Sequence, residues 1–312
     1  MEKGNYTSVK EFILLGLPHA EELTIPLFVL FLFIYVCTLV WNLLILIIIM
    51  RDPQLHTPMY FFLFNLASLD ILLSSVTGPK MIANLLEERK VISFPGCVIQ
   101  LYFYHFLAST ECFLYTVMAY DRYAAICHPL HYTKIMSKTV CLKMASGTWL
   151  TGFTHSMIHT VLTFRLPYCR SNLIQYFFCD IPPILKLACS STYLNEVVIM
   201  VDIGIVTLSC FVMILISYGH IVLAILKIST AEGRRRTFST CVSHITVVMF
   251  LLGPVSVIYA RPQSIRSMDG AFGVFNTMVA PMLNPIVYTL RNKEVKSAIK
   301  KLRERHVASI NT

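Results

Sequence analysis

Met118-Ala-Tyr-Asp-Arg-Tyr-Ala-Ala-Ile-Cys-His-Pro-Leu-His-Tyr132 decides the fold of this 312-residue chain, because it sets a charged pair where a long apolar stretch ends. Residues 98–120 before it are mostly Leu, Phe, Tyr, Val and Ala, long enough to cross a bilayer as a helix of about 20 residues. Asp121 and Arg122 stand at its exit, where an arginine meets water, an acidic neighbour or a partner protein. Working outward, apolar stretches occupy 25–50, 58–82, 97–120, 144–164, 197–226, 238–260 and 271–290. Two of them, 25–50 and 271–290, contain neither a charged residue nor a histidine. The chain is 56% hydrophobic and only 14% charged, too little charge to cover a soluble surface of this size. The expected fold class is an all-α membrane protein, a seven-transmembrane helix bundle forming one domain. Its parts are an outer tail at 1–24, a bundle at 25–291 and an inner tail at 292–312.

Seven spans put the two termini on opposite sides, and charge sets the orientation. With Arg122 inside, the inner segments hold sixteen of the 26 lysines and arginines but only five acids, as the positive-inside rule requires. These basic residues flank spans and form no separate domain, which argues against nucleic acid. The N terminus is then outside, where Asn5-Tyr6-Thr7 is the chain's single glycosylation triplet. The first 24 residues carry six charges and no apolar run, so no cleavable signal peptide is expected. Of ten cysteines, Cys97, Cys169, Cys179 and Cys189 fall on the oxidising outer side. Four cysteines allow three pairings, and the sequence does not choose among them.

The string Met118-Ala-Tyr-Asp-Arg-Tyr-Ala-Ala-Ile-Cys127 resembles the inner end of the third helix of olfactory receptors, within the rhodopsin-like G-protein-coupled receptors. Further blocks follow in the family's order. Thr57-Pro58-Met-Tyr-Phe-Phe-Leu63 opens the second span, with Thr57 as expected N-cap and Pro58 in the first helical position. Leu66-Ala-Ser-Leu-Asp70, the run from Ser229 to His244 and Pro281-Met-Leu-Asn-Pro-Ile-Val-Tyr-Thr-Leu-Arg-Asn292 also match, with Arg236-Thr237 where Lys-Ala is common. The outer-loop pattern and length are similar to the tetrapod-type branch.

This resemblance implies most of the residue roles. It pairs Cys97 with Cys179 and Cys169 with Cys189. It gathers Asn42, Asp70, Glu111 and Asn284 into a polar core beneath the ligand site, satisfied by a sodium ion at Asp70 and Glu111 or by ordered waters. It makes Asp121, Arg122 and Tyr123 the G-protein end, Arg122 being held at rest by the neighbouring acid. Tyr218 and Tyr288 then steady the active form. The ligand site lies among the outer halves of spans three, five, six and seven. There Tyr104, His105, Ala108 and Ser109 share one helical face by their spacing. Asp202, Val206, Ser256, Tyr259, Asn276 and Thr277 face them, with Leu252 and Asn276 departing from aromatics common in the family. A carboxylate at Asp202 facing the cavity would bond a hydroxylated ligand or pair with His105, favouring aromatic or hydroxyl-bearing volatiles. His155 and His159 read as structural. Val295, Ile299 and Leu302 share one face of a short interfacial helix, and no cysteine follows Cys241 to carry a palmitoyl anchor.

No lysine occurs between 267 and 292, which excludes a retinal Schiff base, and Tyr104 stands where amine receptors place an aspartate. No repeated halves suggest a transporter, and no His-Glu-x-x-His or activated serine suggests an enzyme. The function implied is an odorant receptor that binds a small volatile and, through a stimulatory olfactory-type G protein, raises cyclic AMP. The alternative is the same architecture sensing a non-volatile metabolite outside the nose.

Overall fold

The computed structural model describes residues 9–169, 171–227, 267–290 and 294–301, together with Thr230, Glu232, Arg234 and Ile245. Within hydrocarbon, every backbone N–H and C=O needs a partner inside its own segment, so apolar runs of this length become helices. They do so at α1 (Thr24–Arg51), α2 (Pro58–Leu86), α3 (Phe94–Cys127), α4 (Lys138–Phe164) and α5 (Tyr193–Leu226). The last span runs through Ser267–Val274, a π-helical turn at Phe275–Val279 and Ala280–Leu290. The sixth expected span, 238–260, lies outside the described residues.

Among the described residues, four helices are long and apolar enough by composition to cross a membrane: Glu21–Arg51, Pro58–Leu86, Tyr193–Leu226 and Gly270–Val287. Helices α3 and α4 have the length but carry more polar side chains, and those are turned inward. Gln100, His105, Glu111 and Asp121 are buried on α3, as are Thr148, Ser156 and His159 on α4. Lipid is left with residues such as Val29, Phe33, Leu208 and Ile216, all exposed. A polar group in a bundle belongs where a neighbouring helix can bond it.

The helices overrun the apolar stretches, because the hydrogen-bond ladder continues into the headgroup region until something stops it. Helix α3 starts where Ser93 accepts from the Gly96 amide and ends at His128, just before Pro129. The cap expected at Thr57 is not made: its backbone is extended, but its side chain bonds no amide, and Pro58 alone opens α2. Helices α3 and α4 are in close contact at Gly152, where a Cβ would fall 2.9 Å from the Phe106 carbonyl oxygen and 3.0 Å from the Thr110 amide. Nearby, Trp149 Nε1 donates to Asn65 Oδ1 at 3.1 Å and ties α4 to α2.

A small sheet, unforeseen in the sequence, caps the end of the bundle opposite Arg122, the side expected to face outward. Strand β1 (Glu11–Leu14) pairs antiparallel with β2 (Val91–Ser93) and parallel with β3 (Leu173–Ile174). Phe12 and Leu14 are fully buried, Phe12 packing on Phe94 and Tyr168 at ring separations of 5.8 and 6.0 Å. The disulfides Cys97–Cys179 and Cys169–Cys189, with Cα atoms 5.5 and 5.8 Å apart, fasten this cap to α3 and close the second outer loop. On the inner side, residues 294–301 are helical, with Val295 and Ala298 buried and Ile299 half-buried. Tyr60 donates to Glu294 Oε2 at 2.6 Å, and Lys301 reaches Gln54 Oε1 at 2.9 Å. Leu302 lies outside the described residues.

Candidate functional site

The outer mouth is built on α3 and roofed by the second outer loop, whose residues 176–180 are all buried. The Cys97–Cys179 bridge draws this segment down, and Gln100 holds it, accepting from the Cys179 amide at 2.9 Å while donating to the Val76 carbonyl at 3.1 Å. The Tyr104 ring meets Phe178 at 4.6 Å. His105 Nε2 lies 3.1 Å from Asp180 Oδ1, which also caps the short helix Ile181–Leu185 by accepting from the Ile181 amide. Both members of that pair are buried.

Other predicted ligand residues divide. Ala108 and Val206 are half-buried, and Thr277 is buried with its hydroxyl donating to the Gly273 carbonyl at 2.9 Å. Asn276 is buried, and its Oδ1 has no hydrogen-bond partner among the described residues. Asn276 and Thr277 occupy the π turn, a feature that re-aims side chains and recurs at functional sites. Ser256, Tyr259 and Leu252 lie outside the described residues.

Two assignments are corrected. Asp202 does not pair with His105: its Oδ2 receives His159 Nε2 at 2.7 Å and stands 3.2 Å from His155 Nε2, at the α4–α5 boundary. Ser109 turns the same way, its hydroxyl 3.0 Å from His155 Nδ1. The physical reason is helix rotation, since α4 offers imidazoles where the outer loop already supplies His105 with a carboxylate.

The polar core lies one to two turns deeper. Asn284 Nδ2 donates to Asp70 Oδ1 and to the Tyr115 hydroxyl, each at 2.9 Å, and Tyr115 in turn donates to Glu111 Oε1 at 2.7 Å. Asn284 thus ties the last span to α2 and α3 together. Asn42 takes a flanking place instead of joining the acids, donating to the Pro281 carbonyl at 3.0 Å. Asp70 Oδ2 is buried without a hydrogen bond among the described residues.

At the inner end, Asp121 has a second partner besides the adjacent Arg122. Tyr132, on the short helix Tyr132–Ile135, donates to Asp121 Oδ1 at 2.7 Å, while the Arg122 guanidinium lies against the Met59 sulfur. Burial and the adjacent Asp121 carboxylate hold the Tyr132 phenol well above the ordinary tyrosine range. The Tyr123 hydroxyl stands 3.0 Å from His128 Nε2, and Tyr218 is buried on α5. The side chain of Tyr288 and the whole of Asn5 lie outside the described residues.

Phe178, Asp180, Tyr115 and Tyr132 complete the site without having been singled out in the sequence. Tyr115 had a signal, standing four residues after Glu111 on one helical face. Asp180 had a weaker one in its place beside a cysteine of the outer loop.

A sequence model of the family described as "Olfactory receptor" matches residues 31–305. Olfactory receptor 10G4 of Homo sapiens is 57% identical over 302 residues, covering 96% of this chain and 97% of its own. Olfactory receptor 10G7 of Homo sapiens is 56% identical over 300 residues, with 96% of each chain covered. Olfactory receptor 10D3 of Mus musculus is 52% identical over 302 residues, with 97% of each covered.

Proposed function

This chain belongs to the olfactory receptor family of seven-helix G-protein-coupled receptors, and from that premise we propose that it binds a small volatile molecule within its helix bundle and activates a stimulatory olfactory-type G protein, raising cyclic AMP. It is a multi-pass plasma-membrane protein and acts as a receptor, not as an enzyme. In this reading the N terminus is extracellular and the C terminus cytoplasmic. Supporting it, both disulfides fall on the side of the bundle opposite Asp121 and Arg122, the side an oxidising compartment would serve.

The observation that carries the mechanism is the continuity of α3. One uninterrupted helix bears Tyr104 and His105 beneath the roofing loop, Glu111 in the polar core and Asp121-Arg122 at the inner end. A ligand that displaces the Phe178–Tyr104 or Asp180–His105 contacts acts on the element that carries the switch. The Asn284 knot joins three spans and is the bistable element to be biased; release of Asp121 by Tyr132 frees the inner cleft for the G protein.

The ligand class in this reading is aromatic or hydroxyl-bearing. The Tyr104–Phe178 pair offers ring faces, and Asn276 Oδ1 offers an unused buried acceptor for a hydroxyl. Asp70 and Glu111 also fit a sodium ion, on the ground that Asp70 Oδ2 is a buried oxygen with no other partner among the described residues. Such an ion would supply positive charge to the two carboxylates.

The test is a cyclic AMP assay in cells carrying the chain, an olfactory G protein and a trafficking helper. Phenols and benzyl alcohols are compared with hydrocarbons of matched size, beside Arg122→Ala and Asn276→Leu variants. A dose-dependent response is expected that Arg122→Ala abolishes and that Asn276→Leu weakens for hydroxylated ligands alone. Silence of a surface-expressed receptor across the panel overturns the volatile-ligand reading.

A further inference from the structure

The α4–α5 boundary carries a cluster outside the ligand contacts and switch residues proposed above. His155 and His159, one turn apart on α4, and Asp202 on α5 bring three potential ligand atoms within 4.8 Å of one another. We propose that these three residues form a binding site for a divalent transition-metal ion of the zinc class, bridging the outer halves of the two helices.

Hydrogen bonding alone leaves the cluster incomplete. Both imidazoles address the same carboxylate oxygen; His159 bonds it at 2.7 Å, whereas His155 Nε2 stands 3.2 Å away, within ion-pair distance but without an aligned hydrogen bond among the described residues. A buried nitrogen left in that state is a signature of a missing ion or water. Ser109 supplies the outer shell: its hydroxyl stands 3.0 Å from His155 Nδ1 and sets the ring orientation. In the tautomer whose Nδ1–H donates to that hydroxyl, Nε2 presents a lone pair that a carboxylate repels and a cation attracts.

The spacing also fits. Tetrahedral ligands at about 2.0–2.1 Å from zinc stand about 3.3 Å apart, close to the 3.2 Å observed for one pair and about 0.6 Å beyond the 2.7 Å of the other, which must open by that much to take the ion. Two imidazoles and one carboxylate suit zinc, copper or nickel better than calcium or magnesium. The site is graded for entry, with His159 and His155 side chains 1% and 9% exposed and Asp202 41% exposed. Three protein ligands leave a fourth position for water. The ion would staple α5 to α4 beside Ser109, and so beside α3.

The experiment uses the purified full chain in detergent micelles, so it reads binding and is independent of the receptor assay. Wild type, His159→Ala, Asp202→Asn and Asp202→His are dialysed against buffered free zinc. Bound metal is counted, and thermal unfolding is followed with and without zinc. Wild type is expected to take up one ion more than Asp202→Asn or His159→Ala, and zinc to raise the unfolding temperature of wild type alone among these three. Asp202→His keeps a donor and is expected to retain the extra ion. Should His159→Ala fail to fold, the partly exposed Asp202→Asn carries the comparison. Equal zinc uptake by wild type and Asp202→Asn, or a wild type that takes up none, overturns the proposal.

Discussion

Gly152→Ala tests the packing on which the outer half of the receptor rests. The added Cβ would sit 2.9 Å from the Phe106 carbonyl oxygen and 3.0 Å from the Thr110 amide nitrogen, both backbone atoms that cannot rotate away. It would also crowd the Thr110 hydroxyl off the Phe106 carbonyl, which it bonds at 2.7 Å. Ordinary contact begins near 3.4 Å, so α3 and α4 must part by about half an ångström, an overpacking that costs about 1–3 kcal/mol. Gly147→Ala on the same helix is the control, since its Cβ meets nothing within 4 Å. The gain in helix propensity, about 0.5–1 kcal/mol, is common to both and cancels in the comparison. Unfolding the purified chain in mixed micelles with a denaturing detergent should therefore find Gly152→Ala less stable than Gly147→Ala by about 1–3 kcal/mol, roughly 5- to 150-fold in the equilibrium constant. If the two variants unfold at the same detergent fraction, the close approach of α3 and α4 is not as described.

Two further outcomes follow from the polar contacts. Asn284→Leu removes the amide shared by Asp70 and Tyr115 and should destabilise the chain by about 1–3 kcal/mol. Tyr115→Phe should cost less, and the double variant less than the sum, because the two act in one network; strict additivity in the same unfolding assay would dissolve that network. The third prediction concerns alkaline pH. The folded chain holds the Tyr132 proton more tightly than the unfolded chain, whose tyrosines titrate near 10. This contribution is complete below that pH and is lost as pH rises through the higher folded value. Tyr132→Phe should thus be the less stable form at pH 8, and the gap should narrow from pH 10 upward; a constant gap would refute it.

How much of this was legible depends on whether a neighbour or only the solvent decides each feature. The spans of α1, α2 and α5 are set by lipid, and their apolar runs mark them to within a few residues. Helix α3 was harder to bound, because its continuation to Cys127 crosses out of hydrocarbon, where composition no longer distinguishes helix from loop. The rotation of α5 was not readable at all. Most residues of Tyr193–Leu226 are apolar and the few polar ones mark no single face, and a one-residue offset turns a side chain by about 100°, so nothing in the sequence aimed Asp202 at α4. The same blindness hid Asp180 as the partner of His105, since a loop segment has no periodicity to read. The polar core was readable as a set of residues, through resemblance, but Asn42 bonding Pro281 instead of the acids is a matter of sub-turn register. The strands escaped notice because Glu11-Phe-Ile-Leu14 gains its partners from distant loops, not from any local pattern.

That small outer sheet has a consequence for biogenesis. Strand β1 precedes the first span, yet it pairs with residues about 80 positions later in β2 and about 160 positions later in β3. With the N terminus outside, as proposed, the tail emerges into the lumen during synthesis with unpaired backbone edges and waits while the first four spans are threaded into the bilayer. Only when the second outer loop has arrived does Phe12 find its pocket. Closure of the cap is thus a late report that the early spans stand in the right order, and a chain that mis-inserts any one of them would display an open strand to the lumenal quality-control machinery.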